Sequence, residues 1–184
     1  MTLPNDSTPS HEGRVGVGSS IVDIEAYESY KKQTIRNRCT IATANGPQNL
    51  TVPVSHKGVR CIKDIEISDH GNWRHLHWQA LATSYGESAF FEYYQDDIRP
   101  FFEKRWKYLL DFNMEITETM CRLMDIDVNF RLTEQYSGAE MPANDIEKLK
   151  PYYQVYRQRT GFLPNLSCLD LLFNEGPQAI LFLV

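Results

Sequence analysis

The stretch from Tyr30 to Val54, YKKQTIRNRCTIATANGPQNLTVPV, constrains the fold more than any other. Two apolar runs, Cys39–Ala42 and Leu50–Val54, flank Asn45-Gly46-Pro47. Asn and Gly accept positive φ and Pro pre-sets its own, so the spacing predicts a β-hairpin. Pro53 lacks an N–H and is expected to keep one ladder edge open. Lys31, Lys32, Gln33, Arg36, Asn37 and Arg38 lie just ahead of the first strand. Four cations and two amides in so short a segment exceed what a strand entrance needs. Planar Arg forks suit carboxylate or phosphate, so an anion-handling site is the functional reading and a solvated basic segment the plain one.

The rest of the chain supplies elements that this hairpin can pack against. Residues 1–20 are rich in Ser, Gly and Pro and are expected to form a flexible tail. Ile21–Ile24 reads as a short buried strand, and Ile62–Ile67 alternates like a half-buried one. Asn72 is placed to cap a helix that runs to Tyr85 and stops at Gly86. Ser88 is expected to open a shorter helix, and Pro100 demands either a restart near Asp96 or Asp97 or a kink. From Tyr108 the period becomes helical: Leu109, Phe112, Ile116, Met120 and Leu123 make one stripe, read as core. Val128–Thr133 reads as a strand and residues 134–144 as an exposed loop. A helix could begin at Asp145, interrupted by Pro151. Ser167 with Asp170 resembles a capping box opening a helix that stops at Gly176-Pro177, and the apolar end from Ala179 is a helical turn or a strand. The expected fold is a single α/β domain over residues 21–184, with α+β as the alternative. Its N-terminal half is β-rich and its C-terminal half mostly helical.

Composition narrows the function classes. The 184 residues are 42% hydrophobic and 23% charged with a net charge of −5, so a general nucleic-acid coat is not expected and any basic site must be local. No apolar run is long enough to span a bilayer, and the start lacks the basic-then-apolar layout of a secretory signal, which makes cytoplasmic the expected location. Cys39, Cys61, Cys121 and Cys168 are scattered without a C-x-x-C pair, so neither a disulfide framework nor a metal site is indicated, and no cofactor motif occurs.

His75 and His77 are two residues apart and diverge by about 200° on a helix, so they cannot share a metal. Trp73 and His77 share a face; a ring-stacking Trp beside a general-base His is the functional reading, a half-buried structural His the plain one. Asp96 and Asp97 are more simply an acidic first turn, and the dense aromatics from Phe90 to Tyr108 are core. Asn165, Ser167, Asp170 and Asn174 sit in an apolar context. Asp170 within Leu-Asp-Leu-Leu could pair with an Arg of the 36–38 segment, as a structural ion pair or as half of a site. Cys39 could be a nucleophile, although a buried strand thiol is the simpler reading.

Several strings resemble the WbqC-like family: YKKQTIRNRC at 30–39, Asn45-Gly46 through Leu50-Thr51-Val52-Pro53-Val54, Asn72-Trp73 with His77-Trp78, YGESAFFEYYQDDIRPFF at 85–102, and Tyr152-Tyr153-Gln154 through GFLPNLS and DLLFNEGP. Members commonly accompany bacterial surface-polysaccharide genes, O-antigen clusters included, and a glycine- or acyl-transferase role has been suggested for them. The resemblance therefore implies a transferase acting on a small-molecule or glycan-intermediate substrate that is nucleotide-activated or otherwise charged. The alternative is a non-catalytic binding or assembly protein of a glycan pathway. The candidate catalytic residues are His77 and Asp170. The candidate substrate-binding residues are Lys32, Gln33, Arg36, Asn37, Arg38, Trp73 and Asn165. Members typically open with a strand and a turn of the form P-x-Y-x-P-x-x-x-Y-F, which residues 1–20 do not contain; an unpaired sheet edge would favour a homodimer.

Overall fold

The computed structural model describes residues 20–55, 58–138 and 150–183. The expected tail lies outside them except for Ser20, as does most of the segment in which a helix could begin at Asp145. The hairpin is present. Strand β2 (Arg38–Thr43) pairs antiparallel with β3 (Gly46–Thr51), from Arg38 opposite Thr51 to Thr43 opposite Gly46. Ala44 and Asn45 make the two-residue turn; Gly46 takes φ 107°, and its carbonyl accepts from Thr43 Oγ1 at 2.8 Å.

The second apolar run does not continue as one strand. Val52 leaves the ladder to bond Asn37: its N–H donates to the Asn37 carbonyl (2.8 Å) and its carbonyl accepts from Asn37 Nδ2 (3.0 Å). After Pro53 the chain joins another pair, β4 (Val54–Ser55) with β5 (Glu66–Ile67). The expected strand at 62–67 is only its last two residues; Ile62–Asp64 is a 3-10 turn. Ile62 and Ile65 are both buried, and their spacing of three suits that tighter turn as well as a strand's alternation suits Ile65 and Ile67.

Strand β1 (Ser20–Ile24) pairs in parallel with β6 (Val128–Leu132). The expectation that β1 is buried fails. Ile21 is 64% exposed, because no described element covers that face of the pair. Among the described residues the sheets are thus three small two-stranded units, and helices pack with them in a mixed helix-and-strand fold.

Helix α1 (Trp73–Tyr85) starts after Asn72 and ends at Gly86, as the sequence predicts, although Asn72 makes no side-chain cap. Ser88 does not open the next helix; its hydroxyl donates to the Tyr85 carbonyl at 2.7 Å, and α2 begins at Phe91 and runs to Ile98. The restart falls at Pro100, which occupies the first turn of α3 (Pro100–Glu103), where no N–H is needed. Helix α4 (Leu109–Leu123) buries Leu109, Phe112 and Met120 on the predicted stripe. A short α5 (Arg157–Thr160) precedes α6 (Cys168–Glu175), whose Leu169, Leu171, Leu172 and Phe173 are buried. Gly176 ends α6 at φ 56°; a Cβ there would stand 2.6 Å from the Phe90 ring, so only glycine lets the two segments meet. A 3-10 segment, Gly176–Phe182, follows. One hydrophobic cluster joins the hairpin, α1, α2, α4 and α6 around Phe101, Trp106 and Phe173.

Candidate functional site

Where the hairpin entrance, α4 and the start of α6 converge, they enclose a cavity of about 410 Å³, a size suited to a small-molecule ligand. Leu50, Val52, Phe102, Phe112, Ile116, Met120, Met124 and Leu169 give it an apolar lining. Arg36, Asn37, Arg38, His77, Asn113 and Ser167 add polar groups, and three thiols reach it from different elements, Cys39, Cys121 and Cys168.

These polar groups differ in how far they are already engaged. Arg36 forms a bidentate ion pair with Glu28, which holds its guanidinium further above the usual range, and its carbonyl accepts from Asn113 Nδ2 at 2.7 Å. Arg38 gives only Nε, to Thr51 Oγ1 at 3.2 Å; its two Nη groups have no partner among the described residues. Asn37 is buried with Nδ2 committed to Val52, which leaves Oδ1 enclosed without a donor. An enclosed acceptor without a partner costs about 1–3 kcal/mol. His77 sits edge-on to Trp73 and Phe102, ring centres 5.2 and 6.2 Å away. Burial lowers its pKa to about 4, so it is neutral at pH 7. A neutral imidazole donates at one nitrogen and accepts at the other, but a base this weak is poorly matched to proton abstraction near neutrality. Burial pushes the Cys39 thiol up to about 11 and raises Cys121 and Cys168, so the three line the cavity as thiols rather than thiolates.

Behind the cavity lies a second polar cluster, and it is fully engaged. Asp170 on α6 has no exposed surface. Its carboxylate accepts from Tyr152 Oη at 2.6 Å, Tyr85 Oη at 2.8 Å and Gln154 Nε2 at 3.4 Å. Tyr85 Oη in turn accepts from the Ala42 N–H at 3.0 Å, which ties α1 and α6 to the hairpin. Burial pushes the Asp170 carboxyl up, against the pull of the Tyr152 and Tyr85 hydroxyls; burial beside that charge raises both phenols. The expected pair of Asp170 with an Arg of the 36–38 segment is not formed, since Arg36 is held by Glu28 and the tyrosines occupy the carboxylate. Nor does Asp170 complete a capping box: Ser167 alone caps, its Oγ accepting from the Leu169 N–H.

With this geometry in place, comparison with known proteins gives the family. Residues 22–150 match the WbqC-like protein family. The chain belongs to it. The uncharacterized protein Rv1507c of Mycobacterium tuberculosis is a relative, 28% identical over an alignment covering 82% of this chain and 81% of that one. No solved structure matches. The matched segment carries the hairpin, α1 and α4 but stops before Tyr152, Cys168 and Asp170.

In this WbqC-like chain the candidate residues fall into three places. Arg36, Asn37, Arg38 and His77 meet at the cavity. Asp170 lies in the buried cluster, and no hydrogen bond joins it to His77 among the described residues. Lys32, Gln33 and Asn165 are exposed and outside the cavity lining. Gln33 and Asn165 hold φ 57° and 58°, so a left-handed turn accounts for the amide at 165. Trp73 is only 5% exposed, its indole N–H donating to the Ser68 carbonyl at 3.1 Å, and it packs in the core. Sequence reasoning passed over Tyr85, Tyr152 and Gln154, which engage Asp170, and the convergence of the thiols. The only signal was the isolated aspartate itself, which needed buried donors. Among the described residues no group of three or more His, Cys, Asp or Glu could hold a metal ion, and no helix is long and apolar enough to cross a membrane.

Proposed function

We propose that this WbqC-like protein is a cytoplasmic transferase that modifies a bacterial surface polysaccharide of the O-antigen kind, taking its activated acyl, glycyl or sugar donor into the cavity. The observation that carries this is one apolar hollow bordered by the polar residues Arg36, Asn37, Arg38, Asn113 and Ser167 and by neutral His77. A concave, mostly apolar hollow with a few polar residues on its wall is what a small-molecule site requires. In this reading Arg38 holds the donor's anionic group, with Arg36 fixed behind it by Glu28. His77 orients the reacting group through a neutral hydrogen bond, and Asp170 is a positioning residue that fixes α6 against the hairpin through Tyr85. Lys32 and Gln33 draw in the acceptor from the exposed side. The non-catalytic alternative has one observation of its own, the exposed apolar side chains Ile21, Val22 and Leu132 on the β1–β6 pair, which suit a partner or a second copy.

The test is a thermal-shift screen of the full chain against acyl thioesters, aminoacyl adenylates and nucleotide sugars. One donor class should raise the melting temperature by several degrees through mass action, and Arg38→Gln should abolish that shift without changing the unliganded transition. A screen in which no donor shifts the folded protein would turn the assignment to the binding-protein alternative.

A further inference from the structure

We infer that the mouth of the cavity docks on an anionic lipid bilayer, a peripheral attachment that sets the opening against the lipid. This goes beyond the transferase reading and is tested without any donor.

The lip of the cavity is apolar and uncovered. Ile35, in the turn that leads into β2, lines the cavity and is 64% exposed. Leu183, just past the last 3-10 segment, lines it as well and is 45% exposed. Single apolar side chains on a surface need no explanation. These two reach one cavity from distant parts of the chain, and most of the remaining lining is apolar too.

The segment that carries Ile35 also carries charge. Lys31 and Lys32 are exposed, and the Tyr30 N–H donates to the Arg60 carbonyl at 2.7 Å, which brings exposed Arg60 alongside. None of the three cations is in an ion pair among the described residues. The other charges nearby largely cancel: Arg36 is held by Glu28, and Lys63 has Asp64 beside it in sequence. Glu118 on α4 comes close enough to Cys121 to raise its thiol, and it offsets one of the three cations. The balance is still positive, in a chain whose net charge is −5. A bilayer satisfies both features in one plane, since cations meet the anionic headgroups while neighbouring apolar side chains dip below them. Lys32 and Ile35 are such neighbours within one turn. A nucleic acid would meet the cations with its phosphates and leave the apolar lip in water.

The experiment is co-sedimentation of the full chain with phosphatidylcholine vesicles and with vesicles of phosphatidylcholine and phosphatidylglycerol, at low and high salt. The chain should pellet with the anionic vesicles at low salt and stay in solution with the neutral ones. Salt should weaken the binding, because headgroup attraction is screened. The double variant Lys31→Gln, Lys32→Gln should raise the lipid concentration for half-binding roughly twenty-fold, about fivefold for each cation. Ile35→Ser should raise it about tenfold through lost apolar burial. Ile21→Ser, equally exposed but on β1, and Arg99→Gln, whose guanidinium pairs with Glu103 outside the cavity lining, should leave it unchanged. The inference is overturned if the chain ignores anionic vesicles, if neutral vesicles bind it equally, or if the lysine variant binds like the parent. Binding that Ile35→Ser leaves intact would overturn it as well, since the cavity mouth would then not face the lipid. So would soluble polyglutamate that binds the chain while vesicles do not, which would point to an acidic protein partner. Vesicle binding without any donor-induced thermal shift would support the attachment and count against the transferase reading; a donor shift without vesicle binding would do the reverse.

Discussion

The buried cluster around Asp170 and the cavity wall around Arg38 are built from similar side chains, but they use them differently. At Asp170 three donors converge on one carboxylate, and one of them, Tyr85, also accepts from the hairpin backbone. At the cavity Arg38, Asn37 and His77 are placed by the fold and then left with bonding capacity to spare. Polar groups that satisfy one another rigidify; polar groups that face an apolar hollow unsatisfied can recognise something else. The contrast separates Asp170 and His77, which the sequence placed together as candidate catalytic residues.

The comparison can be broken from its structural side first. Asp170→Ala leaves two buried phenol hydroxyls and an amide without an acceptor, and should cost about 3–5 kcal/mol in urea denaturation; a loss below about 1 kcal/mol would mean that the cluster does not hold the fold together. Arg36→Gln, which strands the Glu28 carboxylate, should cost less, about 1–2 kcal/mol, measured the same way. The pH dependence sharpens the contrast further. His77 is depressed in the folded protein, so its contribution is complete above about 6.5 and is lost as pH falls toward about 4. Asp170 is raised, so its protonated form stabilises below 3.8 and that contribution fades as pH climbs through its higher folded value. His77→Phe should therefore flatten the fall in melting temperature between pH 6.5 and 4, which an unchanged profile would contradict. Arg38→Gln should have the smallest effect on stability, under about 0.5 kcal/mol, while removing ligand shifts; a large loss of stability would move Arg38 to the structural side.

Where periodicity carries the information, the sequence is legible. The stripe of α4, the span of α1 and the hairpin follow from local spacing and turn chemistry, and each is found. The misreadings arise where burial depends on a layer that local patterning does not specify. Ile21 is apolar and lies in a strand, yet nothing described covers it. Val52-Pro53-Val54 looks like a strand's end, but Asn37 intercepts Val52 from fifteen residues away. The basic segment points to the cavity, although it does not reveal that Arg36 is consumed by Glu28 and Arg38 is not. The partners of Asp170 come from α1 and from the 150s, separations that no local window spans.

The pairing of β1 with β6 has a consequence in time. Ser20 meets Val128 only after the intervening chain has closed on itself, an ordering cost that short-range elements do not bear. The pair supplies no residue to the main hydrophobic cluster, so it is expected to form late as the chain folds. For the same reason its amides should exchange with deuterium well before those of α4 or α6, through openings that leave the rest of the molecule folded.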